Sequence, residues 1–225
     1  MFFLKKCCKV FSFYFTLQFK VLFMETKNYL QDLQDIKQMM SKSTQFLSLS
    51  GLAGILAGFY ALIGAFFVRM LIENHSYEYI TLESLTFKAI VGIAILVLFL
   101  SLATAYFLSH RKAKRKGETL INSTSKRAFL NFAIPMLTGG ILIVLLLKNQ
   151  YYGLIAPITL IFYGLACVNV SKYTFRDVRY LGITEIILGL IAVEFAGYGL
   201  LFWIIGFGIC HILYGSVMFF KYDRH

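Results

Sequence analysis

The chain has 225 residues, 59% of them hydrophobic and only 15% charged, with a mean hydropathy of +0.72 and a net charge of +11. A soluble domain is nearer half apolar, and uninterrupted apolar runs of about 18 residues or more do not alternate as barrel strands would, so the reading excludes both a soluble domain and a β-barrel. The basic residues lie between the apolar runs, not along a groove with stacking aromatics; this excludes a nucleic-acid partner and leaves the lipid bilayer as the surface that receives them.

Residues 1–23 mix lysines with phenylalanines but hold no run long enough to span. A signal peptide needs a compact apolar core and a small-residue cleavage site, and neither is present. The stretch reads as a non-native or disordered extension upstream of a start at Met24. The alternative is an interfacial anchor, with rings among the headgroups and lysines toward the phosphates. Cys7 and Cys8 are adjacent there, and no CxxC or Cys/His ligand spacing occurs anywhere. Residues 24–45 then place Leu30, Leu33, Ile36, Lys37 and Met40 near one face, with Asp32 and Asp35 off it, which predicts an amphipathic cytoplasmic helix.

Six spans follow, at about 46–70, 85–108, 128–147, 153–170, 181–196 and 199–220, within a membrane domain at 46–221. In the first, Gly54 and Gly58 are four residues apart and let another helix approach closely, either within the bundle or in a homo-oligomer. The third holds Pro135 and Gly139-Gly140, a cause of kinking, and the fourth holds Pro157 near its start. Basic residues precede span one, join two to three and four to five, and follow span six, while the other links carry almost none. That alternation places both termini in the cytoplasm. The predicted fold is an all-α, polytopic transmembrane helical bundle in the cell (inner) membrane.

A shift of 46 residues pairs Tyr152-Gly153-Leu154 with Tyr198-Gly199-Leu200 and predicts a duplicated hairpin, 128–173 and 174–219. The copies differ in their ionisable groups. Gly139 aligns with Glu185, and Leu165 aligns with His211.

Glu185 lies thirteen residues before Tyr198 and His211 thirteen after. In an antiparallel hairpin both reach one depth, ~20 Å below the turn at ~1.5 Å per residue. A charge there is costly, and pairing reduces the cost. The pair is the candidate intramembrane polar site, with Asn169, Thr138, Thr159 and Thr104 as polar neighbours. Glu194, four residues from the turn, belongs to the outer boundary. Gly182 and Gly189 on span five, and Gly208 and Gly215 on span six, recur at heptad spacing and predict close packing of those two helices. The bland alternative makes Glu185–His211 interhelical glue. Trp203 and the tyrosines read as anchors or filler.

No catalytic, phosphate-binding or metal motif occurs, so the sequence points to no enzyme, cofactor or metal. The run TLIFYGLACVNVSKYTFRDVRYLGITEIILGLIA, continued by FWIIGFGICHILYGSVMFFKY, resembles a group of small bacterial integral membrane proteins of the Bacteroidetes type. The resemblance covers Met24 onward, implies a cell-membrane protein and supplies no catalytic residue. Two functions are expected from these features. One is a sensing, binding or regulatory membrane module that contacts a cytoplasmic protein partner through the amphipathic helix and the basic loop at 111–126. The other is a small proton- or cation-coupled transporter or channel lined by Glu185 and His211.

Overall fold

The computed structural model describes residues 50–74, 82–115 and 123–223. The extension at 1–23, the amphipathic helix at 24–45 and the first residues of span one lie outside the described residues. Among those described there is no strand. The helices are α1 (Gly51–Asn74), α2 (Leu85–Arg115), α3 (Ser123–Lys148), α4 (Ile155–Val170), α5 (Asp177–Glu194) and a final rod, α6 (Gly199–Asp223). A 3-10 turn at Tyr152–Leu154 opens α4, and another at Ala196–Tyr198 joins α5 to α6.

Continuous Leu, Ile, Val and Phe favour helix because a helix satisfies its own backbone groups wherever water is absent. Among the described residues, five rods are long and apolar enough to cross a membrane: α1, α2, α3, α6 and Tyr152–Val170. α5 is shorter, 18 residues, and carries Asp177, Arg179, Glu185 and Glu194. α2 runs past residue 108 to Arg115, because its lysines and arginines are good helix formers and favour a helix C-terminus. Pro135 sits inside α3 without ending it. Pro157 is the third residue of α4, in the first turn, where the N–H it lacks has no intrahelical partner.

α1 packs between α2 and α6, and α4 between α3 and α5. These groups of helices meet chiefly through α6, which touches both α4 and α5. The heptad glycines do not close α5 on α6, as their spacing suggested. A β-carbon at Gly182 would lie 2.6 Å from the Gly164 carbonyl oxygen, and one at Gly189 would lie 2.9 Å from that of Pro157, so this stripe seats α5 on α4. A β-carbon at Gly208 would lie 2.5 Å from Leu62, and one at Gly215 would lie 2.6 Å from the Ile55 nitrogen, so the other stripe seats α6 on α1. Gly54 and Gly58 face α6 of the same chain, near Gly215 and Gly208. A stripe of small residues permits close approach without specifying the partner.

One end of the bundle is polar and ordered. Asp223, in the last turn of α6, accepts hydrogen bonds from Ser50 Oγ at 3.1 Å and from the Gly51 N–H at 2.8 Å. It also pairs with Lys112 near the end of α2. Asp177, at the start of α5, accepts from Tyr222 Oη at 2.7 Å and from Lys221 Nζ at 3.0 Å. Phe175 stacks on Tyr222, with ring centroids 4.0 Å apart. Partial burial pushes the Asp177 carboxyl up, but the Tyr222 hydroxyl and the Lys221 ammonium outweigh it and hold the group below the ordinary aspartate value. A carboxyl depressed by folding stabilises above its unfolded value, and that contribution is lost as pH falls through the folded value. Acid melting curves should therefore show an acid limb that Asp177→Asn flattens; an unchanged limb would assign the acid sensitivity elsewhere.

Candidate functional site

Glu185 and His211 come together. α5 places Glu185 on the side facing α6, where it is fully buried, with 0% exposure. His211 follows immediately after a π-helical segment of α6, Ile204–Cys210, and its Nδ1 lies 3.5 Å from Glu185 Oε1. π segments are frequent at functional sites.

Glycine makes the seat. A β-carbon at Gly206 would fall on the Glu185 carboxyl and within 2.5 Å of Leu160 Cδ2. Leu160, itself fully buried on α4, also packs against this point. The carboxyl therefore fills space that any other residue at 206 would occupy.

The imidazole is held at both nitrogens. Nδ1 is 3.1 Å from the Gly206 carbonyl oxygen, and Nε2 is 2.7 Å from Tyr163 Oη. A carbonyl only accepts, so Nδ1 carries a proton and donates. A neutral imidazole then accepts the Tyr163 proton at Nε2. Tyr163 is half-buried between Phe132, 6.1 Å away, and Phe207, 5.1 Å away by ring centroids. Phe207 continues to Trp203, also at 5.1 Å. The result is a line, Tyr163–His211–Glu185, drawn from α4, α6 and α5.

Neither Glu185 oxygen meets a protein donor in hydrogen-bonding geometry. Its contact with Nδ1 is electrostatic and longer than an aligned hydrogen bond. Cys167 on α4 and Cys210 on α6 are buried free thiols. Among the described residues, no group of three or more His, Cys, Asp or Glu is placed to hold a metal ion.

The expected polar neighbours lie elsewhere. Thr138 is exposed and donates to the Ile134 carbonyl of its own helix at 2.9 Å. Thr159 does the same to Ala156, and Thr104 to Leu100. A hydroxyl can donate to the carbonyl one turn back along its own helix, and Thr104 adds a contact with Tyr60 Oη of α1 at 3.3 Å. Asn169 is half-buried in the last turn of α4, six residues beyond Tyr163 and so ~9 Å along the axis. Glu194 is exposed at the end of α5. Thr184, one residue before Glu185, makes a polar link to α6 through Tyr214 Oη at 3.2 Å.

Tyr163 is the residue that sequence reading missed. It lies eleven residues past Tyr152, close to the thirteen that separate Glu185 and His211 from Tyr198. The depth argument applied to the preceding hairpin brings it to the same level. Comparison of the chain with protein-family models, with curated proteins and with solved structures finds no match.

Proposed function

We propose that the chain is a multi-pass protein of the bacterial cell membrane, with six spans and both termini in the cytoplasm. We further propose that it is a sensing or regulatory module, with the Glu185–His211 pair as input and the basic end of the bundle as output. One observation carries this reading: the same two helices hold both places. α5 carries Glu185 and Asp177, and α6 carries His211 together with Lys221, Tyr222 and Asp223. A change in how α5 and α6 meet at the pair is felt at their polar ends.

The six-span count is supported by the placement of charge on α5, where Asp177, Arg179 and Glu194 occupy the ends and Glu185 alone the interior. The cytoplasmic assignment is supported by the basic residues around the Asp223 end, including Lys112, Lys114 and Arg115. The enclosure of Glu185 favours sensing over transport, since a transport route must wet its acidic group. A cytoplasmic protein partner would read the polar end.

Hydrogen exchange along 109–115 and 219–223 in lipid nanodiscs tests the coupling. Glu185→Gln should change protection there while far-ultraviolet dichroism stays the same. Unchanged protection would refute the sensing reading. Ion flux through liposomes carrying the protein, abolished by the same substitution, would establish transport instead.

A further inference from the structure

The Glu185 carboxyl has no exposed surface and no hydrogen-bond donor on either oxygen. An ionised carboxyl in that setting is an uncompensated charge in a dry interior, far costlier than a neutral acid or a matched pair. The groups that face it are few. α4 brings Tyr163 and Cys167, and α6 brings Cys210 and His211. α5 adds no other ionisable side chain within two turns on either side except Asp177 and Arg179, at its polar beginning, and Tyr180. Among the described residues no lysine or arginine pairs with Glu185.

Charge neutrality then sets the proton count. Carboxylate beside neutral imidazole leaves one negative charge; carboxylic acid beside imidazolium leaves one positive charge. The seat is neutral when the pair holds one proton above the first of these states, and the ring, with a partner at both nitrogens, is the member placed to carry it.

We propose that Glu185 and His211 form a binding site for a single proton, and that the proton arrives and leaves through Tyr163. This rests on the sensing reading and names its ligand.

The geometry supplies the step. In the empty state His211 Nδ1–H donates to the Gly206 carbonyl, and Nε2 accepts from the Tyr163 hydroxyl. Loading forms an O–H bond between an arriving water-borne proton and Tyr163 Oη, as the original hydroxyl proton leaves Oη for Nε2. The products are an intact tyrosine, an imidazolium and one fewer proton in the water. The imidazolium then has both N–H groups satisfied: Nε2–H donates to Tyr163 Oη, and Nδ1–H is shared between the Gly206 carbonyl and the adjacent carboxylate. A phenol hydroxyl suits this position because it donates in one state and accepts in the other. Tyr163 is half-buried, whereas His211 and Glu185 are buried, so it is the least enclosed member of the line.

The test is nitrogen NMR of protein labelled with ¹⁵N-histidine, titrated in nanodiscs. The chain has four histidines, so the His211 signal is assigned by its loss in His211→Gln or, if that variant does not fold, by removing His75, His110 and His225. In the wild type the ring nitrogens should pass from one protonated site to two in a single one-proton transition. Glu185→Gln should move that transition down by about one pH unit or more, because the imidazolium loses its counter-charge. Tyr163→Phe should slow proton exchange at Nε2 by about tenfold or more, since a positioned proton carrier is gone. A ring that keeps one protonation state throughout the folded range overturns the proton site, as does a midpoint indifferent to Glu185→Gln. Exchange unchanged in Tyr163→Phe overturns the route and leaves the site standing. If His211 titrates while the polar end keeps constant protection, the sensing reading fails and the proton site survives; if the polar end responds to Glu185→Gln but His211 does not titrate, the reverse holds.

Discussion

Replacing His211 by alanine should destabilise the folded chain by about 3–5 kcal/mol, the range for removing one partner of a buried pair. Three groups lose their contact at once. Tyr163 Oη loses an acceptor 2.7 Å away, the Gly206 carbonyl loses a donor at 3.1 Å, and Glu185 loses the imidazole at 3.5 Å. A fully buried acid then has no counter-charge beside it. Glu185→Leu removes that liability, so His211→Ala should cost about 1–3 kcal/mol less in the Glu185→Leu background. Unfolding titrations in mixed micelles measure both arms of this double-mutant cycle. Additive costs would show that the two side chains do not interact energetically, and the site would reduce to two unrelated polar residues.

The contact of α5 on α4 should be equally intolerant. Gly182→Val is expected to cost about 3 kcal/mol or more, at the upper end of overpacking penalties. The reason is what the new atoms meet. A β-carbon at Gly182 lies 2.6 Å from the Gly164 carbonyl oxygen, and one at Gly164 lies 2.5 Å from the Gly182 carbonyl oxygen. Backbone cannot swing aside as a side chain does, so the helices must part along the contact. Gly92 and Gly140 are the controls, since a β-carbon at either meets nothing within 4 Å. Alanine there should be neutral or stabilise by up to about 0.5–1 kcal/mol through helix propensity. Melting temperatures of the three variants separate close packing from a general intolerance of glycine replacement; equal losses at all three would defeat the packing argument.

The helices themselves were legible because backbone in an apolar setting must satisfy its own hydrogen bonds, so each long apolar run had one solution. Their ends were less so. α2 runs on as helix through Arg115, since a helix can leave an apolar layer without stopping. The common depth of Glu185 and His211 followed from counting residues about Tyr198, an argument that needs only regular rise and an antiparallel return. Tyr163 escaped because a tyrosine in an apolar helix most often anchors at a boundary, and nothing in its spacing marks it as a hydrogen-bond partner. The wide turn at Ile204–Cys210 escaped for another reason: hydrophobic periodicity is assigned on an α-helical repeat and is blind to one extra residue per turn. The partners of the glycine stripes were not legible either. Gly182 and Gly208 carry the same signal, yet one faces α4 and the other α1.

The bond from Asp223 back to Ser50 and Gly51 has a practical consequence for building variants. The beginning of α1 and the final turn of α6 are adjacent, so the first and last of the described rods are fastened to each other although they are farthest apart in sequence. A tag or reporter attached beyond Asp223 therefore loads the first turn of α1 as well as the last turn of α6, and Asp223 is the residue such a variant must keep.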